Sequence, residues 1–137
     1  MKSSEICIIG AGMAGLSCGA ALAQAGRDVR VIDKGRGPGG RMAARRAEIA
    51  GETVAFDHGA QYFTARDPAF RAAVSEWEAM GVVARWEAAS ASSEDPAFVG
   101  VPGMNGPIRA MAEPLAVDWS VRAERLYREG ANWRIES

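Results

Sequence analysis

The chain has 137 residues, 48% hydrophobic and 24% charged, with a formal net charge of −1. That length suits one globular domain, and the near-neutral balance excludes a general pull toward nucleic acid or an anionic membrane. No apolar run approaches the ~20 residues of a membrane span, and one histidine without a C-x-x-C pair leaves a structural metal without ligands.

Residues 6–9, Ile-Cys-Ile-Ile, are a short apolar run that predicts a buried strand. The five residues before it are too few for a secretory signal. Cys7 and Cys18 fall on the first strand and first helix, where buried thiols of a reducing compartment are expected. Both points predict a cytoplasmic chain.

Gly10, Gly12 and Gly15 follow at G-x-G-x-x-G spacing, with Ala11, Met13 and Ala14 between them. An alanine-rich stretch then runs to Gly26, and residues 29–32 predict a second strand ending at Asp33. Strand, glycine turn, helix, strand and acid make one complete βαβ unit of the kind that binds the adenosine half of a dinucleotide. Each glycine has its own reason. Gly10 turns the strand into the helix, Gly12 clears space for a pyrophosphate, and Gly15 lets helix and strand pack closely. The helix N-terminus presents unpaired N–H groups and positive potential to the phosphates. Asp33 is placed to accept from ribose hydroxyls, and its charge disfavours a 2′-phosphate there.

Lys34-Gly35-Arg36-Gly37-Pro38-Gly39-Gly40-Arg41-Met42 and Ala43-Ala44-Arg45-Arg46 come next. From residue 27 to 46, Arg27, Arg30, Lys34, Arg36, Arg41, Arg45 and Arg46 outweigh Asp28 and Asp33, an excess that suits a phosphate-bearing ligand. The alternatives are a solvated basic loop or an RGG-like nucleic-acid segment. No aromatic residue interleaves the arginines, so a base-stacking surface is disfavoured. The Gly39-Gly40-Arg41 step resembles the extended flavoprotein pattern, in which the loop curls back over the FAD pyrophosphate and ribityl chain. A plain NAD-dependent dehydrogenase would pass directly into another helix.

Residues 53–56 predict a strand leading into Asp57-His58-Gly59-Ala60-Gln61-Tyr62. Asp67-Pro68 then caps a helix whose Phe70, Val74, Trp77 and Met80 form a core stripe ending at Gly81. Residues 82–87 suit a strand, 88–94 a mobile loop, and 99–103 a strand end and turn. A helix follows over 105–112, then strands over 117–121, 124–127 and 133–135 with a hairpin turn at 128–132.

Read together, DKGRGPGGRMAARR, FDHGAQYFT and VGVPGM resemble the N-terminal part of the renalase-like flavoproteins, within the flavin amine oxidase superfamily. The resemblance runs over essentially the whole chain. It implies an α/β fold: a Rossmann-like FAD-binding βαβ domain over 1–64 and 103–137, incomplete relative to the family. The first segment of a substrate domain, 65–102, is inserted in it. FAD would be held by Gly10, Ala11, Gly12, Met13, Ala14, Gly15, Asp33, Lys34, Gly39, Gly40, Arg41 and Met42. The resemblance further places Gly59, Ala60, Gln61 and Tyr62 near the isoalloxazine, and main-chain contacts to adenine near Ala123, on a strand over 121–125.

The implied activity is hydride removal from an amine or a dihydronicotinamide. Relatives are more than twice as long, so either the chain is a truncated or split product or a second chain supplies the rest. The alternative is a non-catalytic dinucleotide-binding fragment or a subunit of a split flavoprotein. His58, with Asp57 to fix its ring, reads as structural, and Tyr62 as lining the flavin. No catalytic base is assigned. The expected partner is a small-molecule substrate, with neither nucleic acid nor membrane.

Overall fold

The computed structural model describes residues 3–90 and 94–137. In chain order the elements are β1 (Ile6–Ile9), α1 (Met13–Gln24), β2 (Val29–Asp33), β3 (Ala44–Ile49), β4 (Glu52–Asp57), β5 (Phe63–Thr64) and α2 (Pro68–Ala79). There follow β6 (Val83–Arg85), α3 (Glu87–Ser90), β7 (Ala97–Gly100), α4 (Gly106–Ala112), β8 (Ala116–Trp119), β9 (Arg125–Glu129) and β10 (Asn132–Glu136). They pack as two compact units, one within Met1–Gly40 and Met111–Ser137, the other Arg41–Ala110. Length suggested one domain. The expected boundaries at 64/65 and 102/103 both lie inside the second unit.

In the first unit, β1, β2 and β8 form a parallel sheet in the order β1-β2-β8. Its register aligns Ile8 with Val31 and Val31 with Val117. Helix α1 lies on the Ile8–Val31 face through its small residues. A Cβ built on Gly19 would sit 3.5 Å from both Ile8 Cδ1 and Val31 Cγ2. Leu16, Val31 and Ile32 are fully buried, each contributing roughly 1.5–3 kcal/mol by removal from water. The helix ends as its sequence dictates. Gly26 takes φ +75° and donates to Ala23 O, while Arg27 N donates to Leu22 O, a Schellman closure.

Two expectations fail here. β1 is an edge strand, so its apolar run is not enclosed: Ile9 is 50% exposed, and Cys7 is exposed rather than buried. Cys18, on α1, is exposed as well. Opposite α1, Arg30 and Asp118 form an ion pair.

The strand expected over 121–125 is also corrected. β8 ends at Trp119, Ser120 takes φ +61°, and residues 121–124 are an irregular connection to β9. β9 and β10 form an antiparallel hairpin with Leu126 opposite Ile135 and Arg128 opposite Trp133. Its apolar face is open, Trp133 being 68% exposed.

In the second unit, β3 and β4 form a ribbon joined at Ala50 (φ 53°) and Gly51 (φ 83°), the primed-turn geometry of a two-residue hairpin. The basic loop expected to run through Arg46 ends earlier, because Ala44, Arg45 and Arg46 belong to β3. An Ala-Gly turn lacks the Asn or Asp that announces a hairpin. A second sheet has the order β5-β7-β6. Helix α2 is capped by Asp67, whose Oδ1 accepts from Ala69 N at 2.9 Å and Phe70 N at 3.0 Å. It closes at Gly81 with the same Schellman pair, Gly81 N to Glu78 O and Val82 N to Trp77 O.

Val74 and Trp77 are buried as the stripe predicted, while Met80 at the helix end is 60% exposed. Phe63 stacks on Phe98 and meets Phe70, which meets Trp77, so the core of this unit is an aromatic chain. The strand expected over 82–87 is only β6; α3 begins at Glu87. Of the loop expected over 88–94, residues 88–90 are helical and 91–93 lie outside the described residues. No described helix is long and apolar enough to cross a membrane.

Candidate dinucleotide site

The first unit assembles the glycine turn at the C-terminal end of its parallel strands, where open α/β sheets bind ligands. Gly10 leaves β1 with φ +108°, and its N–H donates to Ile32 O at 2.8 Å. Ala11 is buried. Gly12 is the N-cap of α1 and offers no side-chain cap, so Met13, Ala14 and Gly15 begin the helix with amides available to a ligand. The space at each glycine matches its reason. A Cβ on Gly12 would meet nothing within 4 Å. A Cβ on Gly15 would collide with Gly10 O and lie 3.0 Å from the Gly10 carbonyl carbon.

Asp33 does more than the sequence reading assigned to it. Its Oδ2 accepts from Ala11 N at 2.7 Å and its Oδ1 from Gly35 N at 2.6 Å. One carboxylate therefore ties the glycine turn to the start of the basic loop. Each oxygen keeps further acceptor capacity for a hydroxyl. Gly35 was not singled out from sequence, and the acid two residues before it was the available signal. Lys34 is exposed, and Gly39 is buried.

The loop then returns. A Cβ on Gly40 would lie 3.4 Å from Gly12 Cα. The glycine pair therefore reaches the turn, with backbone rather than side chain at the approach. Beyond β8, Ser120 N donates to Gly35 O at 2.7 Å and Val121 N to Asp33 O at 2.9 Å. This fastens the connection carrying Ala123 beside the end of β2, although Ala123 is not on a strand.

The second unit joins two other sequence signals. Arg41 and Met42 complete a 3₁₀ turn begun at Gly40. Arg41 O accepts from Ala60 N at 3.0 Å, and a Cβ on Gly59 would collide with that same oxygen. Gly59 and Ala60 thus lie against the Arg41 backbone, with Gln61 and Tyr62 exposed beyond them. Asp57 does not serve His58 in the way the sequence suggested. Its Oδ1 accepts from Met104 N at 3.0 Å, pinning the turn that carries Pro102 and Gly103. Met104 is fully buried, and its Sδ receives Gly100 N–H at 3.2 Å. The VGVPGM motif is thereby the end of β7 and a turn anchored at Met104.

A family model described as an NAD(P)-binding Rossmann-like domain matches residues 8–77, 70 of the 137 positions. The crystal structure of Thermovibrio ammonificans THI4 aligns over 96% of this chain and 45% of that one. The TM-score is 0.54 and the identity 18%, a likeness of fold. Wild-type putrescine oxidase bound to putrescine aligns over 60% of this chain at 29% identity, with a TM-score of 0.42. The chain spans 17% of that putrescine oxidase.

Proposed function

The chain belongs to the family of NAD(P)-binding Rossmann-like domains, and from that premise we propose that it binds FAD and serves a flavin-dependent oxidoreductase of the renalase and amine oxidase type. The observation that carries the proposal is the return of Gly40 to Gly12. A loop of glycines and arginines brought back onto the dinucleotide turn suits a ligand extending past the adenosine diphosphate. The residues fit such a group. Gly12 leaves the diphosphate room, and the first amides of α1 donate to it. Asp33, fixed by Ala11 and Gly35, would accept from the ribose. By the family resemblance, Arg41 and Met42 would serve the ribityl chain, and Gly59, Ala60, Gln61 and Tyr62 the ring. When bound, the flavin supplies hydride acceptance from an amine or a dihydronicotinamide. The chain's own residues bind, orient and shield, and none is assigned as a base.

A second reading is a dinucleotide-binding module that works only within a larger flavoprotein. It is favoured by the open β1 edge with its half-exposed Ile9, since an unprotected apolar edge strand invites further pairing.

The visible spectrum of the purified chain, alone and with added FAD, tests the proposal. Two flavin bands that stay with the protein through gel filtration, and are lost in Gly12→Val, are expected. Equal flavin in the two proteins refutes the assignment. Bound FAD that neither amines nor dihydronicotinamides reduce selects the second reading.

A further inference from the structure

In the β5-β7-β6 sheet, Phe63 pairs with Phe98 and Thr64 with Ala97, while Ala84 pairs with Val99 and Arg85 with Phe98. Side chains alternate across a sheet. Phe63, Phe98 and Arg85 therefore share the face toward α2, where Phe63 meets Phe70. Ala84, Val99, Thr64 and Ala97 share the opposite face, and so do the residues one step outside the strands, Tyr62 before β5 and Trp86 after β6.

On that face Tyr62 and Trp86 meet edge to face, ring centroids 6.1 Å apart and planes at 69°. Neither ring is enclosed: Tyr62 is 51% and Trp86 41% exposed. Both are nevertheless held by their backbones. Trp86 N donates to Ala97 O at 2.8 Å, and Trp86 O accepts from Ser90 N at 3.0 Å and Ser90 Oγ at 2.9 Å. Tyr62 follows the Gly59–Ala60 step fastened to Arg41 O.

Two large rings fixed at a steep angle, with small residues between them on the sheet, make a rigid corner. The pair differs from Phe63, Phe70, Trp77 and Phe98, which pack against one another toward α2, in leaving both rings open to a ligand. Such a corner accepts a flat ring stacked on one wall and edge-on to the other, the two arrangements that aromatic quadrupoles favour.

We infer that Tyr62 and Trp86 form a binding corner for a flat conjugated heterocycle. The inference rests on the FAD reading and deepens it. Two sources carry this ring chemistry, the isoalloxazine of the flavin and the nicotinamide of a dihydronicotinamide substrate.

The test uses the full chain and small ring probes. Riboflavin and nicotinamide mononucleotide are titrated separately against indole emission in the parent, Tyr62→Leu, Trp86→Leu and Trp86→Phe, with ADP binding by calorimetry alongside. Saturable quenching of the parent by either probe is expected, and the probe that saturates names the ring's source. The response should vanish in Trp86→Leu. Affinity should fall about 5–10-fold in Tyr62→Leu, the worth of one aromatic contact. Trp86→Phe, followed by probe anisotropy, should bind within about twofold of the parent, because a ring face is kept. ADP affinity should be the same in all four proteins. Quenching that persists in Trp86→Leu, or no saturable response to either ring while ADP binds, overturns the corner alone. Absence of ADP binding in the parent overturns the dinucleotide reading beneath it.

Discussion

Replacing Gly15 by alanine separates close packing from ligand space within one motif. The added methyl would meet Gly10 O inside van der Waals contact, lie 3.0 Å from the Gly10 carbonyl carbon, and lie 3.4 Å from Ile8 Cγ2. Carbon pairs rest at about 3.5–4.0 Å and the overlap with Gly10 O is deeper still, so α1 must lift from β1 by more than about 1 Å. The obstacle is backbone at a strand end and cannot rotate aside. Overpacking of this kind costs about 1–3 kcal/mol, against a gain of about 0.5–1 kcal/mol from alanine in a helix. A net loss of about 1–2 kcal/mol follows, or roughly 4–15 °C in melting temperature for a unit this small.

Gly19→Ala is the control. Its methyl would come within 3.2 Å of Leu115 Cδ1, the end of a flexible side chain, so its stability should stay within about 0.5 kcal/mol of the parent. Gly12→Val, at a position with nothing within 4 Å, should melt close to the parent while losing FAD. Urea denaturation followed by circular dichroism, with FAD titration on each variant, decides the matter. A Gly15→Ala protein as stable as Gly19→Ala would refute the claim that helix–strand contact, rather than ligand space, fixes this glycine.

Asp33→Ala should cost both stability and FAD affinity, because Ala11 and Gly35 each lose a charged acceptor worth about 1.5–3 kcal/mol; a variant weakened in binding but unchanged in urea midpoint would contradict the clamp. Asp57→Ala should lower stability by about 1–3 kcal/mol through the orphaned Met104 amide, with Asp57→Asn partly restoring it. Equal urea midpoints for parent and Asp57→Ala would dismiss the pin. Partial burial pushes the Cys7 thiol up, with Arg30 opposing and Asp118 adding. A raised value keeps the thiol protonated at higher pH, so iodoacetamide labelling of Cys7 should reach half its maximal rate above the ordinary thiol value of about 8.5. A midpoint at or below that value removes the electrostatic account of this face.

Local chemistry made much of the chain legible. The G-x-G-x-x-G spacing, Gly26 and Gly81 as helix stops, and the Asp67-Pro68 cap each act within a few residues, and the folded chain carries them out as written. The flavoprotein pattern implied a loop curling back over the FAD pyrophosphate and ribityl chain; in the fold, Gly40 lies beside Gly12.

What sequence alone determined is therefore the βαβ opening, its cap and stop residues, and the amphipathic α2, because turns and helix ends depend on near neighbours and on the side-chain period. Tertiary structure decided the rest. It placed β1 at an edge, exposing Ile9 and Cys7, and made β3 of a segment that read as loop. It engaged Asp57 with Met104 instead of His58, and it brought Trp86 to Tyr62 across β7. Each of these depends on which strands become neighbours, a pairing between distant residues that no local spacing encodes.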